Sequence, residues 1–465
     1  MSDLPLVSFK IYVKDLSIDE IIGFRAYTED EQRKVAEMLH NAQDKAKFYK
    51  AVKYSQPILF KLNGVNIDVF NDVAKLRVPC GYTIIVKNIN DEILNYIELN
   101  REETIYVKAK PIVKHGYKGR KYIEAEELEF IIATVDTDTA KELLNEYKAY
   151  ELLAYGFGYK PCNESYGLLI PRLLPIFKPQ NIPLHVISYT PPNTGKSTFA
   201  SLLERVWSAY YYTETPSLPQ LVGDGRFNSY GVAYHYRTIV FDEFDKIGSL
   251  ERQRLEELWR VLQTGMEQGL WKRGVSSKAD ISYKNFVSLL FFGNVTDEDI
   301  LNYASQSTSV NHKDKLEYLI REKYRLSSKQ FIDRIVYAEY LIKAPSTDEI
   351  LNVQDGEVVY LDPKVTRGVL KIIDEKCFDD FKKAESDKAG RKTRQLNAFY
   401  TVLYHLGLEI ELDTLHELYN GNITFLELYN EGERYETTDE SETRETADVS
   451  DIEYMEWDMR EVTGI

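Results

Sequence analysis

Cysteine is scarce in this chain: three in 465 residues, Cys80, Cys162 and Cys377, far apart and without a Cys-x-x-Cys pair. That scarcity excludes a disulfide framework and a structural zinc site built on paired cysteines. Long apolar runs are missing too. No stretch approaches the roughly 18 apolar residues of a membrane helix, and Met1 to Lys10 lacks the basic-then-apolar plan of a secretion signal. A cytoplasmic protein with no membrane partner is therefore expected, with reduced and mostly buried thiols. No internal repeat is present.

What remains is the makeup of a globular protein, 43% hydrophobic and 28% charged. The length suits two or three domains. A net charge of −16 would oppose nucleic acid if it were spread evenly, and it is not. Residues 431–465 hold 13 acids and 3 bases, a net of −10, which leaves −6 for everything before them. The acidity is mostly a tail, so a basic groove in the body is allowed.

Along the chain, residues 1–150 read as an N-terminal α+β domain, with a helix near 29–52 and alternating segments beyond it. Thr104 to Ile123 reads as two strands joined by a turn, with six lysines and arginines and no acid. Lys114, Lys118, Arg120 and Lys121 cluster at that turn. Such a hairpin suits a single-strand groove in an OB-like barrel over about 56–133, and it also suits an ordinary solvated hairpin. Residues 151–345 alternate apolar strands with amphipathic helices, the pattern of a parallel sheet covered by helices. Residues 346–430 read as a helical lid, and 431–465 as an acidic, disordered tail whose Tyr454, Met455, Trp457 and Met459 could dock a partner.

The strongest signal is HVISYTPPNTGKST, a strand, a turn rich in Pro, Asn and Gly, and a helix start. The loop over Pro192, Asn193, Thr194, Gly195, Lys196, Ser197 and Thr198 would cradle phosphate with its backbone N–H groups from Asn193 onward, Lys196 would reach the terminal phosphates, and Ser197 would ligate Mg2+. Thr190 stands where the strict pattern has glycine. Further on, RTIVFDEFDK runs a buried strand into Asp242, expected to hold the metal, and Glu243, expected to orient and deprotonate water. A third strand ends in Asn294. Arg334 precedes a fourth, and its alternatives are an arginine finger or a local ion pair with Asp333.

In this order the motifs resemble the AAA+ class of ring ATPases, and DEFDK followed by a helix and LWKRGV resembles the minichromosome maintenance (MCM) family of hexameric DNA helicases. The resemblance covers about 166–420. It implies an AAA+ P-loop core, ATP and Mg2+ as cofactors, a homo-hexameric ring, and DNA as partner. It implies that Asn294 positions the attacking water, that Arg334 reaches a neighbouring subunit, and that Arg394 in KTRQLNAF is a second sensor. A hairpin bearing Lys272, with Arg273 and Lys278, would grip DNA in the pore. The family's zinc cysteines are absent, Gly195 replaces its usual alanine, Val295 replaces its proline, and 210–236 matches its helix insertion poorly, as in a divergent relative carried by a virus or plasmid. The function expected is an ATP-driven DNA helicase or translocase in replication. The alternatives are a loader or origin remodeller that does not unwind, or a Lon-like or BREX-type AAA+ protein, though only 45 residues follow Asn420 and a protease domain has no room there.

Overall fold

Five apolar segments pair side by side in the order 5-1-4-3-2: β1 (His185–Thr190), β2 (Ala209–Tyr212), β3 (Thr238–Phe241), β4 (Ser288–Asn294) and β5 (Ile335–Tyr340). Every pairing is parallel. The computed structural model describes residues 6–10, 37–38, 41–42, 44–61, 65–68, 73–78, 82–87, 105–115, 121–132, 135–224, 229–273, 281–299, 309–354, 357–384 and 390–432. Nearly all side chains of β1, β3, β4 and β5 are buried, as strands covered on both faces require. Alternation divides them between two cores. Val186, Val240, Leu290 and Phe292 face one, and Ile187, Ile239, Leu289 and Phe291 face the other.

The first core is covered by α1 (Lys196–Val206) and by helices that precede and follow the sheet in sequence, with Leu153, Leu169, Val369, Phe399 and Phe425 all contributing. The second is covered by α2 (Arg252–Gln268) and α3 (His312–Tyr324), through Leu255, Leu262, Leu316 and Ile320. The molecule is thus a mixed α/β protein with a parallel sheet flanked by helices. Beyond β5 the chain is mainly helical, as expected. It also contributes Val353–Gln354 and Glu357–Leu361 to a small sheet completed by Leu6–Lys10, so the first described segment pairs far from its sequence neighbours. Ala140 and Ala149 belong to the first core as well.

Residues 58–132 form a separate six-stranded sheet with its own core of Phe48, Ile58, Phe60, Leu76, Ile84 and Val107. The sheet runs from Ile58–Lys61 at one edge, through Ile105–His115, Lys121–Ile132, Thr83–Lys87 and Val73–Arg77, to Val65–Asp68 at the other. The helix Lys45–Lys53 packs on it. The acidic tail beyond 432, Cys80, Lys118, Arg120 and Lys278 lie outside the described residues.

Two local constraints fix elements around the sheet. At the end of α2, Gly269 takes φ 63°, a left-handed conformation that lets the chain reverse into the strand Leu270–Arg273. Trp271 then inserts fully buried against α2, where a Cβ on Gly265 would come within 2.7 Å of its ring. Gly265→Ala is expected to destabilise the protein by about 1–3 kcal/mol through overpacking against Trp271. Thermal unfolding checks this, and an unchanged midpoint would contradict the tight fit. At the C-terminal side, Glu427 on the last helix accepts from Thr424 N–H at 2.7 Å and lies 3.5 Å from His312 Nε2. The hydrogen bond from His312, helped by those from Thr424, lowers the Glu427 carboxyl from the ordinary 4.5 to about 2. A depressed carboxyl stabilises the fold above pH 4.5 and loses that contribution as pH falls toward 2. Glu427→Gln should therefore lower stability at neutral pH and flatten the acid limb in that window, so that variant and wild type converge as pH falls toward 2, measured by denaturant unfolding across pH.

Candidate functional site

Because all five strands point the same way, the ends of β1, β3 and β4 emerge along one edge of the sheet. The loop 191–195 leaves β1 there and enters α1 through Gly195, whose φ of 73° is left-handed and whose Cβ, if present, would lie 3.2 Å from the Tyr159 hydroxyl. Beneath the loop sits Arg172, fully buried. Its Nη1 donates to Tyr159 Oη at 2.5 Å and to the Thr194 carbonyl at 2.9 Å, and the guanidinium lies 5.5 Å from the Phe292 ring. Drawing the Thr194 carbonyl inward turns the Gly195 N–H of the same trans peptide outward. From the other side Thr347 N–H holds the Asn193 carbonyl at 2.8 Å. The first amide of α1 that closes on the loop is Phe199 N–H, to Gly195 O at 2.9 Å. The amides before it have no carbonyl inside the helix.

Lys196 is buried and folded back on the loop. Its Nζ donates to the carbonyl of Thr190 at 3.1 Å, to the Thr190 hydroxyl at 2.9 Å and to the carbonyl of Pro191 at 3.0 Å. Thr190 therefore does something that the expected glycine could not. Its hydroxyl accepts from Lys196 and bonds the Thr194 hydroxyl at 2.8 Å, which ties both ends of the loop together. Burial, reinforced by the charge of Arg172, lowers the Lys196 ammonium from 10.5 to about 7. A cation held only by neutral acceptors would gain from an arriving anion.

The acids meet this loop through α1. Asp242 follows β3, and its Oδ2 accepts from the Ser197 hydroxyl at 2.8 Å and from the Tyr211 hydroxyl at 2.6 Å, while Oδ1 accepts from Glu243 N–H at 3.0 Å. Tyr211 was not legible as a site residue. It stands on β2 in register with Val240, and strand alternation turns it away from Tyr210 and Tyr212, which pack edge-to-face at 4.7 Å. Burial and the bond to Asp242 push its hydroxyl well above the usual tyrosine range, so it remains a donor. Glu243 takes φ 52°, and its carboxylate accepts from Lys246 Nζ at 2.5 Å. Asn294 lies in register with Thr190, on the strand between the loop strand and the acid strand. Its N–H donates to Asp245 Oδ1 at 3.0 Å. No group of three or more His, Cys, Asp or Glu side chains that could hold a metal occurs among the described residues.

Arg334 is where expectation and structure part. It is buried, and its guanidinium donates within the chain to Glu267 Oε2 at 2.5 Å and to the Gln330 carbonyl. Within the chain its guanidinium is thus occupied, and its ion-pair partner lies 67 residues back on α2 instead of next door at Asp333. Arg391 also approaches Glu267, at 3.7 Å. Arg394, one turn further along the helix Arg391–His405, is exposed.

The two basic hairpins differ. In the first, Leu270–Arg273 pairs with Ile281–Lys284, and alternation buries Trp271 and exposes Lys272. Arg273 is half-buried and donates to the Gly223 carbonyl at 3.2 Å. In the N-terminal hairpin the second strand continues to Ile132 and brings acids across from the bases. In backbone register Lys108 is paired with Glu129 and Lys110 with Glu127, and Lys110 Nζ bonds Glu126 at 3.0 Å. The longer strand thus sets acids in register with bases, and of the expected cluster Lys114 and Lys121 are exposed at the described end of the hairpin. The acid-free window 104–123 stopped one residue short of Glu124.

Tyr211→Phe keeps the ring and removes one of the two hydroxyl donors that orient Asp242. It is expected to destabilise the fold by about 0.5–1.5 kcal/mol through loss of that hydrogen bond. Denaturant unfolding checks this, and an unchanged midpoint would show that Ser197 alone sets the carboxylate.

No family model matches the chain. It is similar to three viral proteins, each described as an uncharacterized protein. ORF426 of Acidianus filamentous virus 1 is 28% identical over 289 residues, 60% of this chain and 66% of that protein. Protein 440 of Sulfolobus islandicus rod-shaped virus 1 is 24% identical over 410 residues, 84% of this chain and 87% of that protein. ORF425 of Acidianus filamentous virus 2 is 31% identical over 127 residues, 27% of this chain and 29% of that protein. Similarity to a viral protein thus extends over most of the chain.

Proposed function

We propose that this chain is an ATP-hydrolysing motor of the AAA+ class, related to the MCM helicases, that works as a ring on DNA during replication. The observation that carries this reading is the convergence of Ser197 and Asp242, 2.8 Å apart, at the sheet edge where Lys196 and Asn294 also emerge. The residues fit Mg2+-ATP on three counts. Lys196 is a buried cation with uncharged acceptors that phosphate oxygens would replace. The amides from Gly195 to Thr198 precede the first closed turn, at a helix start that favours negative charge. Ser197 and Asp242 are a hydroxyl and a carboxylate, the kind of pair that holds Mg2+ when phosphates and water complete its shell.

Bound Mg2+ would neutralise charge on the phosphate oxygens and draw them into line. The chain's own residues divide the remaining work. Arg172 keeps the loop amides facing outward, and Lys196 moves from the carbonyls of Thr190 and Pro191 to the phosphates. Glu243 accepts a proton from the attacking water, which requires its carboxylate to leave Lys246. Asn294, between the two motifs, orients that water. For Arg334 to serve a neighbouring subunit, a phosphate would have to replace the Glu267 carboxylate at the same guanidinium. Lys272 projects from a hairpin anchored by Trp271, a geometry that supports a DNA grip moved by hydrolysis. The six-stranded sheet of residues 58–132 is read as the OB-like nucleic-acid-binding unit of the same machine.

ATP hydrolysis with and without DNA tests the reading. Lys196→Ala and Glu243→Gln are each expected to lower turnover about 100-fold or more, while Lys272→Ala retains hydrolysis and loses strand displacement on a forked duplex. Hydrolysis without displacement by the wild type would favour an origin remodeller, and wild type with no nucleotide turnover at all would falsify the ATPase assignment.

A further inference from the structure

Residues 45–61 carry five lysines and no acid, and four of the five lie on the helix Lys45–Lys53. This helix spends its apolar side on the N-terminal sheet, where Phe48, Ala51 and Val52 are buried. Its outer side presents Lys45, Lys47, Lys50 and Lys53, all exposed. Among the described residues none of these four lysines has an acidic partner. The contrast with the hairpin is direct, since Lys108 and Lys110 there have glutamates opposite them.

Aromatic rings are interleaved with these cations. Tyr49 is 67% exposed and Tyr54 is 59% exposed. Lys45, Tyr49 and Lys53 follow one another at i, i+4 and i+8, so they form a single ridge with steps of about 6 Å along the axis. Lys53 Nζ lies 5.3 Å from the centre of the Tyr54 ring. Tyr82, also partly exposed, stacks on Phe48 with centroids 5.0 Å apart and planes 17° from parallel, which holds its ring at a fixed orientation. Burial does not account for two large rings left this open. Four like charges on nine residues repel one another until a polyanion compensates them.

We propose that this helix face, with Tyr82 beside it, is a platform for single-stranded nucleic acid: the lysines take phosphates, and Tyr49, Tyr54 and Tyr82 offer ring faces to unstacked bases. Single strands are favoured over duplex because bases already stacked on one another present no face to a tyrosine. A lipid surface fits less well, since the helix has already committed Phe48, Ala51 and Val52 to the sheet and has no apolar side left to insert. The platform is separate from the Ser197–Asp242 centre and does not depend on nucleotide hydrolysis.

The experiment is fluorescence anisotropy of labelled oligothymidine and oligouridine with the full chain, without nucleotide, across a salt series. Lys45→Gln/Lys50→Gln/Lys53→Gln is expected to lower the slope of log affinity against log salt by about 2, as removal of three phosphate contacts requires. Tyr49→Ala/Tyr54→Ala should weaken binding about tenfold or more with the slope unchanged, and Tyr49→Phe/Tyr54→Phe should restore it. Lys196→Ala should bind as wild type does, so failure of the ATPase reading and failure of this one give different results. The substituted lysines and tyrosines of the helix face are exposed, and unchanged thermal unfolding confirms the fold. Wild-type affinity and slope in the lysine variant would overturn the proposal. So would equal competition by polyglutamate, which would indicate an acidic-peptide site, or binding confined to anionic phosphatidylserine vesicles.

Discussion

Parallel pairing of β1, β4 and β3 is the constraint on which the site depends. Strands that run the same way deliver their C-terminal ends to one edge, so Thr190, Asn294 and Asp242 become neighbours although they lie far apart in the chain. Parallel strands need crossovers, and the crossovers are helices that bury both faces of the sheet. The close fit leaves little freedom. A Cβ on Gly293 would come within 2.4 Å of the Tyr189 ring on the adjacent strand. The edge that holds the functional groups is therefore as rigid as the core beneath it.

Two buried cations share that edge, and their arrangement separates structure from chemistry. Arg172 is used from below to set the peptide planes of the loop. Lys196 can lose its proton, is crowded by Arg172, and rests on neutral oxygens that a stronger acceptor would displace. Behind them Glu339 is fully buried and accepts from Ser188 and Tyr337, and Tyr337 in turn accepts from Phe425 N–H on the last helix at 3.0 Å. A polar layer thus runs from the neighbourhood of the loop to the C-terminal helices, inside a core that is otherwise apolar.

How much of this was legible depended on distance along the chain. The loop, the acids and Asn294 were readable because each sits at the end of an apolar strand, and the change from strand to turn is written in consecutive residues. Tyr211 was hidden in a run of tyrosines, since nothing local says which of them faces the acid strand. Arg334 was visible as an arginine before a strand, and its partner Glu267 was not, because the pairing joins the turn before β5 to the end of α2, 67 residues away. The N-terminal hairpin looked uniformly basic for the same reason. The strand register that sets Lys108 against Glu129 and Lys110 against Glu127 is a property of the pair, not of either strand.

The sequence by itself determined the local chemistry: a glycine able to turn left-handed before Lys196 and Ser197, a strand that runs into Asp242 and Glu243, and four lysines on the helix Lys45–Lys53 behind the capping Asp44. Propensity, period and short-range spacing are enough for these, because each involves residues within a few turns or one strand of each other. Only the tertiary structure decided the partners. It gave Asp242 its second hydroxyl from Tyr211, set Arg172 under the loop, closed Arg334 onto Glu267 and paired Lys110 with Glu126 in the N-terminal hairpin. These are long-range pairings fixed by strand order and helix packing, and the members of each lie farther apart than the few turns or one strand that local patterning covers.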